Sequence, residues 1–136
     1  SQGAQVIAID TNVLVRLVVD DDPDQTRRAR KLFHRGGVLV TTTVLLESAW
    51  VLAGAYGLGR ERVASSLRGV LGLEGVATEA PAAIAQGLEW FDAGLDFADA
   101  LHLAGASGAS EFATFDLRLL KRSKFIEQPA VIAVPH

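Results

Sequence analysis

The chain has 136 residues, 49% of them hydrophobic and 21% charged, which is the size and composition of one globular domain with one core and excludes a disordered or low-complexity protein. Cysteine is absent, so disulfide staples and thiolate metal sites are excluded, and a reducing compartment, the cytoplasm, is the expected location. The net charge of −3 speaks against a general nucleic-acid binder with a basic excess, and the longest stretch without a charged residue, 48–59, is shorter than the ~18 residues a membrane helix needs.

The opening Ser1-Gln2-Gly3, in a chain without Met, reads as an expression remnant. Residues 1–4 are therefore expected to be a remnant or a disordered start, and 5–136 a single domain. Asp10 interrupts the first apolar run and no basic segment precedes it, so no signal peptide is expected. Val6-Ile7-Ala8-Ile9 has the continuous apolar character of a strand buried on both faces. Asp22-Pro23 starts a helix with Pro at its first position. Ala29, Leu32 and Phe33 supply its inner face, and Gly36 stops it. Val38-Leu39-Val40 reads as a second strand. Thr43 can cap a helix from Val44 toward Tyr56 that Gly57 ends. Two amphipathic stretches follow, through Val63, Leu67 and Leu71 and through Ile84, Leu88 and Phe91, with Pro81 near the start of the latter. Asp96 opens another helix, Phe112 to Phe115 is a strand, Leu117 to Lys121 a short helix, and Ala130 to Val134 a last strand. Strands alternating with helices imply an α/β fold with a parallel sheet flanked by helices, whose functional edge lies beyond the carboxyl ends of the strands.

That edge makes two acids conspicuous. Asp10 follows the first strand in "VIAIDTNVL" and Asp116 follows a later one in "FATFDLRLL". Either is explained equally by capping the next helix. Glu47 is the only charged residue of "VLLESAWVLAGAY", in a helix apolar nearly all round. A buried carboxylate there needs a partner, either a distant arginine such as Arg16 or a cation that is not protein. In "GLDFADALH", with Asp96 as cap, Asp99 stands at the third helical position, from which an acid can reach back to the cap's own N–H. Capping accounts for each acid singly but not for the set of Asp10, Glu47, Asp99 and Asp116. If those four converge, their repulsion calls for protonation or a bridging cation, and an all-oxygen set suits Mg²⁺ or Mn²⁺ over Zn²⁺. The basic runs at Arg27, Arg28, Arg30, Lys31 and Arg35 and at Arg118, Lys121, Arg122 and Lys124 read, each by itself, as solvated helix faces.

The segments "AIDTNVLVRL", "TTTVLLESAWVL", "GLDFADALHLA" and "FATFDLRLLKR", in this order and spacing, resemble the PIN-domain family, in particular VapC-type toxins of bacterial toxin–antitoxin pairs. The resemblance covers nearly the whole chain. It implies a single PIN-like α/β domain with a central parallel sheet of about five strands, and a Mg²⁺- or Mn²⁺-dependent endoribonuclease leaving 3′-hydroxyl and 5′-phosphate ends. Asp10, Glu47, Asp99 and Asp116 match the family's acidic positions as catalytic residues and metal ligands. Thr11 and Asn12 match its DTN segment, and Thr114 the hydroxyl residue before the last acid, all three placed to orient ligands or metal-bound waters. Asp96 is an additional acid with a capping and supporting role. The resemblance also implies transfer RNA or another structured RNA as substrate, a homodimer, and a VapB-like antitoxin that wraps the toxin and sets a basic side chain among the acids. The helices from Val44 to Tyr56 and from Arg60 to Leu71 offer that antitoxin a groove.

Two other readings compete. "LVVDDDP" at 17–23 looks like the acidic start of a receiver domain, but no Asp lies between Asp24 and Asp92 and no Lys precedes a Pro, so the phosphoacceptor and its lysine are missing. A PIN-like fold serving only as a non-catalytic binding or scaffold module is the alternative that remains, and metal titration separates it from the nuclease.

Overall fold

The computed structural model describes residues 5–136, so the expected remnant at 1–4 lies outside the described residues. The chain forms two compact units, Ser1–Pro81 and Ala82–His136. Among the described residues there are seven helices and five strands. All paired strands run parallel, three of them in the first unit and two in the second. The chain is thus α/β, with the expected number of strands hydrogen-bonded as two separate sheets.

The first unit runs β1 (Ile7–Ala8), α1 (Thr11–Val18), α2 (Pro23–Arg35), β2 (Val38–Leu39), α3 (Thr42–Gly54), α4 (Arg60–Leu71) and β3 (Val76–Ala77). Its strand order is β1-β2-β3, with Ile7 opposite Val38 and Val38 opposite Val76. At two residues each, these strands are too short to display a period, which is why β3 carries no recognisable pattern in the sequence. β1 is shorter than its apolar run and is not buried on both faces. Within this ladder it pairs on one side only, so Ala8 is exposed while Ile9 is buried. Glycine is required where the chain enters β2 and β3. Gly36 and Gly75 both have φ of 82°, and a Cβ on Gly75 would stand 2.7 Å from the Gly36 Cα, so no side chain fits between these two backbones.

α1 packs on α2 and α3, burying Leu14 and Val15 of α1, Thr26, Ala29 and Phe33 of α2, and Leu45, Ser48, Ala49 and Leu52 of α3. α2 begins as its sequence predicts, with Asp22 accepting a hydrogen bond from Gln25 N at 3.1 Å and Pro23 at the first position. α3 does not. Its cap residue is Thr41, which makes no side-chain capping bond, and Thr43 lies inside the first turn. The open N-terminus is served from a distance by Glu79, whose Oε1 accepts from Thr42 N at 2.7 Å and Thr42 Oγ1 at 2.9 Å. α3 is also not buried all round. Glu47 and Ala53 are exposed and Trp50 is 76% exposed, because a single helix face suffices to cover α1 and α4. On α4, Val63, Ala64, Leu67 and Val70 are buried. The buried apolar side chains of these two helices belong to the core, while Val44, Leu46, Val51 and Leu71 are half-buried and Trp50 is exposed.

The second unit holds α5 (Pro81–Asp92), α6 (Phe97–Gly105), β4 (Glu111–Thr114), α7 (Leu117–Arg122) and β5 (Ala130–Ala133). β4 and β5 pair from Glu111 opposite Ala130 to Thr114 opposite Ala133, and α7 packs on both. α5 and α6 approach closely at Gly87, where a Cβ would stand 2.8 Å from Leu101 Cδ2. The rings of Phe91 and Phe97, 5.3 Å apart and edge to face, hold the turn between them. That packing fixes the start of α6, where Asp96 and Asp99 stand.

Candidate active site

In the first unit the acids follow from how α1 and α3 begin. Asp10, two residues beyond β1, is in extended conformation and caps α1, its Oδ1 accepting from Val13 N at 3.2 Å. One carboxylate oxygen satisfies the helix and the other remains available, since the side chain is exposed. Thr11 is only 8% exposed, and its hydroxyl donates a hydrogen bond to Glu47 Oε1. This bond ties the first residue of α1 to the middle of α3. Glu47 thus has a hydroxyl for a partner and stands in solvent. Its expected burial is corrected, and Arg16, one of the two partners the sequence left open, does not pair with it.

Arg16 is engaged elsewhere. Its Nε donates to Gln25 Oε1 at 2.8 Å, and its Nη1 donates to Tyr56 OH at 3.1 Å and lies 3.3 Å from Asp21 Oδ1. Tyr56 OH in turn donates to Asp21 Oδ2 at 2.7 Å. This closed arrangement of Arg16, Asp21 and Tyr56 spans 40 positions of sequence and has no local signal that could reveal it. Beside it, α1 and α2 leave a cleft of about 430 Å³ lined by Asp10, Asn12, Val13, Arg16, Gln25, Arg28, Ala29 and Leu32. The signal for it was present: Gln25, Arg28, Ala29 and Leu32 recur at the spacing of one helix face.

In the second unit, Asp96 caps α6 with Oδ2 accepting from Asp99 N at 3.3 Å. The reciprocal bond that a capping box requires is missing. Among the described residues the Asp99 carboxylate accepts no hydrogen bond, although the side chain is partly buried. Burial pushes the Asp99 carboxyl above its ordinary range, the charges of Asp96 and Asp116 push it further, and His102 partly offsets them. Asp116 caps α7, its Oδ1 accepting from Arg118 N at 2.9 Å and Leu119 N at 3.2 Å. Thr114 Oγ1 accepts from Asp116 N at 3.0 Å, so the hydroxyl residue before this acid orients its backbone.

Capping therefore explains Asp10, Asp96 and Asp116 and leaves Asp99 unexplained. The PIN domain profile matches residues 7–125. The chain belongs to the PIN-domain family. The PIN fold is generally a nuclease fold, commonly of hydrolases that use divalent metal ions. No curated protein and no solved structure matches the chain. The matched span contains Asp10, Glu47, Asp99 and Asp116, together with Thr11, Asn12, Asp96 and Thr114.

Among the described residues of this PIN domain, no group of three or more His, Asp or Glu side chains stands close enough to enclose a metal ion. The donor chemistry nevertheless fits a hard cation that keeps its water. Mg²⁺ dehydrates reluctantly and is held by one or two carboxylates, not by a protein cage. Asp99, with no donor of its own and like charges nearby, is the carboxylate here that a cation would stabilise most. Asp10 and Asp116 each spend an oxygen on a helix start and keep the other.

Proposed function

We propose that this PIN domain is a Mg²⁺- or Mn²⁺-dependent endoribonuclease of the VapC toxin type, acting in the cytoplasm on transfer RNA or another structured RNA and neutralised by a VapB-like antitoxin. Asp10, Glu47, Asp99 and Asp116 are its catalytic carboxylates. The observation that carries this reading is Asp99, a partly buried carboxylate at a helix start that takes no hydrogen bond, while the cap beside it is made by Asp96. A group kept at that electrostatic cost is the mark of a site that works on cations or protons.

Within the second unit Asp99 and Asp116 would hold the ion, and Asp10 and Glu47 are the further acids this proposal counts as catalytic. When bound, it supplies positive charge to the scissile phosphate and acidifies a water for in-line attack. The chain's own residues do the positioning. Thr11 holds Glu47 Oε1 and leaves Oε2 to accept a proton. Thr114 and the first turn of α7 hold Asp116 in one orientation. Asn12 lines the cleft beside Asp10, and Asp96 caps the helix that carries Asp99. The antitoxin neutralises the toxin, in this proposal, by presenting a guanidinium or ammonium to the uncompensated Asp99 carboxylate, a charge-assisted substitute for the metal. The toxin itself is proposed to be a homodimer.

Sequencing of RNA ends after brief induction tests the activity. Wild type should produce new 5′-phosphate ends concentrated at one loop of one RNA species, and Asp99→Asn should not. Identical end profiles would leave a non-catalytic binding module. Copurification with a small DNA-binding partner, followed by an RNA cleavage assay, tests the neutralisation. Undiminished cleavage in the complex would rule out occlusion of the site.

A further inference from the structure

We infer that the cleft between α1 and α2 and the basic face of α2 bind the single-stranded RNA that flanks the scissile phosphate, with Arg28 as the phosphate-pairing residue. The inference rests on the nuclease reading and adds to it the surface that positions the substrate.

Three observations carry it. The first is where the charge lies. α2 bears five cations, Arg27, Arg28, Arg30, Lys31 and Arg35, against the single carboxylate Asp24, in a chain whose net charge is −3. Asp24 is shared by Arg27 and by Arg28, whose Nη1 lies 3.6 Å away, so one acid faces two guanidinium groups that are both largely exposed. An exposed pair of that length contributes little and is readily exchanged for a phosphate. The second is the lining. Asp10 and Arg28 line one cleft of about 430 Å³ with Asn12 and Gln25, while Val13, Ala29 and Leu32 give it apolar surface. Apolar walls with a few polar groups suit the flat face and polar edge of a nucleobase, and the arginine suits the phosphate attached to it. The third is preorganisation. Gln25 Oε1 is already committed to Arg16 Nε at 2.8 Å, which leaves the amide nitrogen of Gln25 as the donor end. Arg16 is itself held by Tyr56 and Asp21, so this wall does not need to order on binding. A basic antitoxin segment would be repelled by α2. RNA is the polyanion that matches it, and Asp10, a catalytic carboxylate in the proposed function, lines the same cleft and so brings the scissile phosphate to it.

The test is equilibrium binding of a fluorescein-labelled single-stranded RNA, in EDTA to prevent turnover, with steady-state cleavage measured separately. Arg28→Glu should weaken binding about tenfold or more and flatten the dependence of log affinity on log salt by about one phosphate contact. It should raise KM with little change in kcat, and Arg28→Lys should recover part of the loss. Arg62→Glu, the same charge reversal at an exposed position of α4, should leave binding unchanged. Unfolding midpoints of all variants exclude a folding defect. Equal loss in Arg28→Glu and Arg62→Glu would reduce the effect to net charge and overturn the inference. So would wild-type RNA affinity in Arg28→Glu, including the case in which that variant instead loses affinity for an antitoxin. RNA bound through Arg28 but never cut would uphold the cleft and refute the nuclease reading. Cleavage that is indifferent to Arg28 would do the reverse.

Discussion

The acids of the first unit and those of the second solve the same electrostatic problem differently. Around Asp10 and Glu47 every carboxylate has a donor: Val13 N for Asp10 and the Thr11 hydroxyl for Glu47. Around Asp99 the donors go to its neighbours, Asp96 and Asp116, and Asp99 is left with burial and like charge. The difference teaches that an acid near a helix start is not explained by its position alone. What decides is whether the backbone N–H groups are taken by that acid or by the one beside it.

The largest expected effect breaks the comparison at Asp99. Asp99→Asn should lower RNA cleavage about a hundredfold or more, while raising the unfolding temperature of the metal-free protein. The pH dependence follows from the direction of the shift. The folded-state carboxyl of Asp99 lies above its unfolded value, so its ionisation costs stability, a cost absent at low pH and accumulating as pH rises through the raised folded value. The stability advantage of Asp99→Asn should therefore shrink as the pH is lowered through that range, as thermal melts across acidic to neutral pH would show.

Asp10→Asn and Asp116→Asn sharpen the comparison from the other side. Asn caps a helix about as well as Asp, so both variants should unfold within about 0.5 kcal/mol of wild type and still lose cleavage. A loss of stability matching the loss of activity would return both residues to a structural role. Thr11→Val removes the hydroxyl that holds Glu47 and should cost about 1 kcal/mol in chemical denaturation.

The smallest effect is at Glu79. Burial raises its carboxyl, but the hydrogen bonds from the Thr42 side chain and backbone, its own N–H and Thr78 outweigh that, and the net shift is downward. Its contribution is present above the unfolded value and lost as pH falls through the lowered folded one. Glu79→Gln should accordingly lose a few tenths of a kcal/mol near neutral pH and nothing in strong acid.

These variants also mark how far the sequence could be read. The helix starts at Asp22, Asp96 and Asp116 were legible, because a cap and its helix are neighbours in the chain, whereas at Asp10 capping was one of two readings and the helix Thr11–Val18 was not among the expected elements. So were the elements with a long period, α2, α4 and α5. What was not legible was settled by partners far away. Glu79 caps a helix that begins 37 positions earlier, Thr11 claims Glu47 across 36, and Tyr56 claims Arg16 across 40. The two-residue strands fall below the length at which alternation exists. Glu47 was misjudged for a related reason: composition shows that a helix is apolar but not that only one of its faces will be covered. For Asp99 the sequence offered both outcomes, a reciprocal cap or an uncompensated charge, and only the hydrogen-bond pattern chooses between them.

Calorimetric titration of Mn²⁺ into the RNA-free protein at neutral pH tests the central claim most directly, comparing wild type with Asp99→Asn. Saturable binding by wild type, weakened about tenfold or more in the variant, is the predicted result. Equal affinity in the two proteins would contradict it, and would leave Asp99 as one more acid at the start of a helix.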